Sequence, residues 1–172
     1  MLSQMPLEDI QQVINLLLET HQAGGKVFTM GNGGSAATAS HFACDLAKGT
    51  ITPGLPRFRV IALTDNVPLI TVWGNDAAYE DIFAEQLLAL VESGGVVIAI
   101  GASGNSKNVL KAVRVAKQEG AITIGLTGRR GGKLRHLVDV CVAVPSDCME
   151  RVEDAHLILE HLICTVIRQE LQ

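Results

Sequence analysis

Residues 26–37, KVFTMGNGGSAA, join a short run of strand-forming residues to a glycine-rich loop and the start of a helix. We expect a strand over Lys26–Met30, because Val, Phe and Thr favour extended structure. The loop Gly31–Ala36 ends that strand, and Ala36–Lys48 has the character of a helix. A strand, a glycine loop and a helix in this order form the repeating unit of open α/β sheets.

The same unit recurs along the chain. Further strands are predicted at Arg59–Leu63, Gly95–Ile100, Ile122–Leu126 and Val138–Val144, and further helices at Leu7–His21, Ala77–Val91, Asn108–Glu119 and Glu150–Leu171. The strands are continuous apolar runs, as expected when helices cover both faces of a parallel sheet. The pattern predicts an α/β fold, a three-layer αβα sandwich with about five parallel strands. A single domain over residues 1–172 fits this length.

Composition excludes several classes of function. Apolar residues make up 48% of the chain and aromatic residues 3%, and the net charge is −4. Direct nucleic-acid binding is not expected, because it needs a basic patch or aromatic stacking platforms. No apolar run approaches the ~20 residues of a membrane span, and Met1–Ile10 lacks the basic start of a signal peptide. We therefore expect a cytoplasmic protein.

Two loops rich in glycine and serine follow predicted strands. The first is Gly31–Ala36, and the second contains Ser103-Gly104-Asn105-Ser106. Both are expected at the carboxyl edge of the sheet, where open α/β folds bind ligands and where helix N-termini attract phosphate. Ser35, Ser103 and Ser106 could add hydroxyl donors. Simple turns and helix caps would use the same residue types, but two such loops at one edge favour a phosphate site.

A dinucleotide site is an alternative reading of the first loop. Gly31-x-Gly33-x-x-Ala36 matches the relaxed fingerprint of dinucleotide-binding folds, and Asp65 follows the next strand. However, this acid comes 34 positions after Gly31, whereas the usual interval is ~20 residues. Neither loop ends in the Gly-Lys-Ser/Thr of a P-loop.

A histidine–carboxylate constellation accompanies the loops. His41 and Asp45 share one helix face, and the closing helix carries more candidates: Glu150, Glu153, Asp154, His156, Glu160 and His161. Such groups suit acid–base chemistry or a divalent cation such as Zn²⁺. Glu153 and His161 would lie ~12 Å apart along one helix, so one metal joins them only if other elements or another subunit contribute. The sequence leaves open whether His156 or His161 is used, and whether the acids form only a solvated helix face.

These motifs together resemble the sugar isomerase (SIS) domain family, and within it the phosphoheptose isomerases. The resemblance runs from about residue 7 to the C-terminus and rests on Gly31-Asn32-Gly33-Gly34-Ser35-Ala36-Ala37 with His41, Thr64-Asp65-Asn66, Gly74-Asn75-Asp76, Tyr79-Glu80-Asp81-Ile82-Phe83, Ser103-Gly104-Asn105-Ser106, Leu126-Thr127-Gly128 and the helix from Glu150 through His156 to His161. It implies a flavodoxin-like fold, a homotetramer with shared active sites, and metal-assisted isomerisation of sedoheptulose 7-phosphate to an aldoheptose phosphate through an enediol(ate).

The resemblance also implies roles for individual residues. Substrate and phosphate contacts are expected from Asn32, Gly33, Ser35, Asp76, Ser103, Ser106, Glu150 and Glu153. Metal ligands are expected at His41, Asp45, Glu153 and His161, of which Asp45 and His161 move the protons. The chain departs from the family at Asp45, where Glu is usual, at Glu153, where Gln is usual, and at Gly101 and Ala102, which replace hydroxyl residues. These departures motivate a competing hypothesis, a non-catalytic phosphosugar sensor or protein-interaction module of the type that binds the replication initiator.

Overall fold

A computed structural model describes the whole chain, residues 1–172, and contains a five-stranded sheet flanked by helices. The strands are β1 (Lys26–Met30), β2 (Arg59–Ala62), β3 (Val96–Ile100), β4 (Ile122–Gly128) and β5 (Val140–Val144). The α-helices are α1 (Leu7–Gln22), α2 (Gly34–Cys44), α3 (Val67–Asp76), α4 (Ala84–Leu90), α5 (Lys107–Gln118) and α6 (Met149–Glu170). None of these helices combines the length and the apolar character needed to cross a membrane.

The sheet is entirely parallel, with the order β2-β1-β3-β4-β5. Its two faces carry separate cores. Val96, Ile98 and Ile100 of β3 pack with α1, α2 and α6, whereas Val97 and Ala99 pack with α4 and α5. This two-sided burial explains the uninterrupted apolar strands and confirms the predicted three-layer α/β fold.

The strand order determines where the site lies. β1 is hydrogen-bonded to β2 on one side and to β3 on the other. The direction in which successive strands are added to the sheet therefore reverses between β1 and β3. Open α/β folds bind ligands at such a switch point, beyond the carboxyl ends of the strands. The loops after β1 and β3 therefore start side by side.

One predicted helix is wrong over its first half. The sequence suggested a helix over Ala77–Val91, but Ala77 and Ala78 leave the helical region, a short 3₁₀ turn covers Tyr79–Asp81, and α4 begins only at Ala84. The preceding helix, α3, was not predicted because half of its residues are β-branched or aromatic, and these favour helices weakly. It begins at an Asn66 cap whose side chain accepts a hydrogen bond from the backbone N–H of Leu69 at 3.2 Å.

Candidate active site

The two serine-bearing loops border one small cavity of about 120 Å³. The predicted binding residues on its wall are Asn32, Ser35, Ser103, Ser106 and Glu153. Typical ligand pockets occupy ~300–1,000 Å³, so this cavity can enclose only one end of a sugar phosphate. Hydroxyl groups and the N-termini of α2 and α5 surround it, and such a setting suits the anionic end.

Two asparagine side chains connect the first loop to α5, the helix that follows the second loop. The Nδ2 of Asn32 donates to Oδ1 of Asn108 at 3.0 Å, and the Nδ2 of Asn108 donates back to Oδ1 of Asn32 at 2.9 Å. The hydroxyl of Tyr79 donates to the same Asn32 oxygen at 3.1 Å. The sequence analysis gave no role to Asn108 or Tyr79. The only signal for Asn108 was a polar residue at the second position of α5.

Three other predicted residues have different surroundings. Gly33 precedes α2 with φ of +57°, a left-handed conformation that glycine adopts readily. Asp76 lies exposed at the end of α3 and accepts a hydrogen bond from the Asn75 side chain at 2.7 Å. Glu150 is exposed in the first turn of α6, where a backbone hydrogen bond and the Cys148 thiol lower its pKa. Neither acid borders the cavity within one chain.

A second group of side chains gathers where α2 packs against α6. His41, Asp45, Glu160 and His161 each offer one possible ligand atom, and these atoms all lie within 4.8 Å of one another. Asp45 lies 3.8 Å from the Nε2 atoms of both His41 and His161. The two imidazole rings meet edge to face, with centroids 4.9 Å apart.

The end of α2 places Asp45 in this group. The α-helix stops at Cys44 and continues as a π-helical turn over Asp45–Gly49. Such wider turns are rare and are frequently found at functional sites. The sequence analysis predicted an uninterrupted helix over Ala36–Lys48 and gave no sign of this turn.

Glu160 was one of the candidates on the closing helix, but the sequence analysis assigned it no specific role. Its side chain is 0% exposed, and neither carboxylate oxygen receives a hydrogen bond. Burial and the nearby charge of Asp45 raise its pKa to about 7. Its spacing in the sequence was the signal for its burial, because Glu160 continues the buried stripe of α6 that includes His156 and Ile163.

The group fits a divalent cation. Buried carboxylate oxygens without donors are costly, and a cation satisfies them. Two imidazoles and two carboxylates are an accepted donor set for Zn²⁺.

Glu153 does not join this group, which departs from the predicted ligand set. Its carboxylate lies against the start of α2, where a Cβ atom on Gly34 would come within 2.9 Å of Oε2. Glu153 and His161 are eight residues apart on α6, which corresponds to a rise of ~12 Å along the helix. This distance explains why Glu153 lies away from the group. Within one chain, Glu153 therefore lines the small cavity between the two serine loops.

The structure also separates the two histidines that the sequence could not. His156 is buried, its Nε2 donates to the Thr127 carbonyl at 3.3 Å, and burial lowers its pKa to about 4. His161 is 50% exposed and belongs to the cation group. His156 is thus a packing residue, and His161 is the histidine available for chemistry.

Known proteins match nearly the whole chain. A family model described as SIS domain matches residues 2–128. The phosphoheptose isomerase of Aliarcobacter butzleri is 43% identical over 95% of this chain and 86% of its own length. That of Trichlorobacter lovleyi is 42% identical over 94% and 82%.

Solved structures give the same result. A phosphoheptose isomerase from Francisella tularensis superposes with a TM-score of 0.90 and 34% identity, over 96% of this chain and 87% of its own. One from Neisseria gonorrhoeae gives 0.87 and 36%, over 93% and 85%.

Proposed function

The chain belongs to the SIS domain family, and we propose that it is a phosphoheptose isomerase that converts sedoheptulose 7-phosphate to an aldoheptose 7-phosphate. The family model ends at residue 128, but β5 completes the same sheet and α6 packs on it. We therefore take residues 1–172 as one SIS domain. The observation that supports the function is the small cavity between the two serine loops. The histidine–carboxylate group lies nearby, where α2 packs against α6, and both helices also border the cavity.

Substrate binding is assigned to the cavity. Ser35, Ser103 and Ser106 offer hydroxyl donors to the phosphate, and the starts of α2 and α5 offer backbone N–H groups. Asn32, oriented by Asn108 and Tyr79, faces the sugar. Glu153 accepts hydrogen bonds from sugar hydroxyls at the cavity wall. We propose that Asp76 and Glu150 contribute from a neighbouring subunit, because neither borders the cavity of its own chain.

Proton transfer is assigned to Asp45 and His161. Aldose–ketose isomerisation removes a proton from one carbon, forms an enediol(ate), and returns a proton to the neighbouring carbon. The Asp45 carboxylate takes the carbon-bound proton and, once protonated, returns it to the neighbouring carbon, and His161 moves a proton between the two substrate oxygens. Their side chains lie 3.8 Å apart and are partly exposed, so a substrate can reach both.

A divalent cation, most suitably Zn²⁺, would be held by His41, Asp45 and His161. When bound, it stabilises negative charge on the enediolate oxygens. His41 lies between the two carboxylates, 3.5 Å from Glu160 and 3.8 Å from Asp45.

Assembly and compartment complete the proposal. Leu157, Ile158 and Leu162 are exposed on the outer face of α6 beside His161. Their burial in a homotetramer would place the active site at a subunit interface. All four cysteines are free thiols, which suits the reducing cytoplasm.

Two alternatives receive no support. The non-catalytic hypothesis has no specific observation in its favour, and the 3.8 Å distance between His161 and Asp45 supports the isomerase instead. The dinucleotide hypothesis is disfavoured by spacing, because Asp65 comes 34 positions after Gly31 whereas the usual interval is ~20 residues. The nearly full-length matches to phosphoheptose isomerases favour the isomerase over both.

The test is an NMR assay of purified protein with sedoheptulose 7-phosphate, with and without a chelator. We expect an aldoheptose phosphate to appear, and the chelator to slow its formation. His161→Ala should reduce turnover by ~10²-fold or more. His136→Ala, which changes an exposed histidine outside the group, is the matched control. Metal-loaded protein that leaves the ketose unchanged would refute the proposal.

A further inference from the structure

The side-chain amide of Asn32 has a fixed orientation, and a backbone group determines it. An asparagine side chain can turn over and exchange its oxygen and nitrogen, so its role toward a ligand depends on its neighbours. The backbone N–H of Val109 donates to the Asn108 side chain at 2.9 Å, and because it can only donate, it must meet Oδ1. Nδ2 of Asn108 is then the atom that donates to Oδ1 of Asn32 at 2.9 Å.

Both acceptor positions of the Asn32 oxygen are therefore occupied. A carbonyl oxygen has two lone pairs, and Oδ1 of Asn32 receives one hydrogen bond from Asn108 and one from the Tyr79 hydroxyl at 3.1 Å. One Nδ2 hydrogen of Asn32 is donated back to Asn108 at 3.0 Å. The second Nδ2 hydrogen is what Asn32 can still offer at the cavity that it borders. Asn32 therefore meets a ligand as a donor.

The two partners of Asn32 are both anchored to α5. Asn108 lies on the buried side of this helix and is 2% exposed. Tyr79 begins the 3₁₀ turn Tyr79–Asp81, and the carboxylate of Asp81 forms an ion pair with Lys111 of α5. Because Asp81 is only 14% exposed, this ion pair is well shielded from water. One helix thus positions both groups that hold the Asn32 amide.

We propose that Asn108 and Tyr79 are positioning residues, which keep Asn32 turned so that its Nδ2 donates to an oxygen acceptor of the substrate. This inference rests on the isomerase function proposed above and deepens it. A reversed amide would put its carbonyl oxygen opposite the oxygens of the sugar phosphate, where like partial charges repel. The acceptor is either a phosphate oxygen or a sugar oxygen that becomes negative in the enediolate.

The experiment is a double-mutant cycle on kcat and KM for sedoheptulose 7-phosphate, with Tyr79→Phe, Asn32→Ala and both changes together. Tyr79→Phe removes only the hydroxyl of a side chain that is 61% exposed, so the fold is retained. In the parent background we expect kcat/KM to fall at least ~3-fold, as for the loss of one hydrogen bond. In the Asn32→Ala background the same change should alter kcat/KM by less than ~1.5-fold, because the amide that it orients is absent.

Asn108→Leu tests the other partner. Leucine has a similar size but cannot hold an amide, so kcat/KM should fall at least ~10-fold. Lys107→Ala is the matched control on α5, because Lys107 is 78% exposed and its ion pair with Glu80 lies at the surface. Such pairs contribute little, so the control should stay within ~2-fold of the parent. If Asn108→Leu does not fold, the cycle with Tyr79→Phe decides the question.

Inhibition by inorganic phosphate identifies the acceptor. If the amide faces the phosphate, the inhibition constant of inorganic phosphate should rise together with KM in Tyr79→Phe. If it faces an oxygen of the enediolate, kcat should fall while the inhibition constant of phosphate is unchanged. Either pattern supports the positioning role, because both follow from a misdirected Asn32 amide.

Two outcomes overturn the inference: parental kcat/KM in both Tyr79→Phe and Asn108→Leu, or a loss in Tyr79→Phe that is equally large without Asn32. Calorimetric binding of sedoheptulose 7-phosphate repeats the cycle without turnover. A parent that binds the sugar phosphate with coupling between Tyr79 and Asn32 but does not convert it refutes only the isomerase. A parent that converts the sugar without this coupling refutes only the positioning role.

Discussion

His156 and His161 lie on the same helix in opposite environments, and burial decides their roles. His156 packs under the sheet and keeps one ring nitrogen without a partner, so the folded protein resists its protonation until about pH 4. His161 remains half exposed beside two carboxylates. Residue type alone could not separate them, because both occur near acidic side chains in the sequence.

The pH dependence of stability should reveal His156. Its pKa is 6.5 in the unfolded chain and about 4 in the folded one. Between these values the unfolded chain binds the extra proton, so the free energy of unfolding falls as the pH is lowered, by about 3 kcal/mol in total. His156→Leu should remove this loss while changing stability only slightly at pH 7.5.

Urea unfolding of metal-free parent and variant at pH 7.5, 6 and 4.5 measures the difference. Glu160, His161 and Asp45 are common to both proteins, so their titrations cancel in the comparison. An equal acid-side slope in the two proteins would show that burial does not lower the pKa of His156.

At the level of elements, a backbone contact holds the second serine loop in place. Gly104 has φ of +62°, and a Cβ atom there would lie 2.0 Å from the carbonyl oxygen of Gly131. The backbone N–H of Leu134 donates to the Gly104 carbonyl at 3.0 Å, and that of Lys133 donates to the Asn105 side chain at 3.1 Å. The absence of a side chain at Gly104 therefore allows the second serine loop to pack against the backbone at Gly131. It would also allow a ligand to approach the same loop closely.

Gly104→Ala should displace the second loop. The obstructing atom belongs to a backbone, so no side-chain rotation relieves it, and the KM for the sugar phosphate should rise at least ~10-fold. Gly54→Ala is the control, because Gly54 also has a positive φ, +85°, but its Cβ would meet no atom within 4 Å. The control should lose only ~1 kcal/mol of stability. Equal KM values and equal urea midpoints for the two variants would contradict the loop contact.

The elements that sequence could predict are those with strong periodicity. β1, β3 and α6 appear where their apolar patterns placed them, and the two loops after β1 and β3 share one cavity as expected. The break at Ala77–Ala78 and the π-helical turn at Asp45 escaped prediction because tertiary packing, not local propensity, determines them. For the same reason Glu160 received no role until its burial was visible.

At the scale of the whole molecule, we expect the outer face of α6 to link the proposed assembly to catalysis. Leu157, Ile158 and Leu162 form an exposed apolar patch, and His161 projects from the same face. Exposed apolar patches on soluble proteins frequently mark interfaces. A neighbour that covers this patch would also border the histidine–carboxylate group and could supply the Asp76 or Glu150 that each chain lacks at its own cavity.

Ile158→Lys should therefore affect oligomeric state and turnover together. Ile158 is 46% exposed in the single chain, so the change leaves the core intact.

A homotetramer has a mass of about 73 kDa, four times the 18.3 kDa of one chain. Light scattering after size exclusion should show the variant at a lower mass, with reduced kcat. Leu88→Lys, which makes the same kind of change on α4 across the sheet, should keep the parent's mass and activity. A parent protein that is fully active at 18.3 kDa would show that one subunit contains every residue the reaction needs.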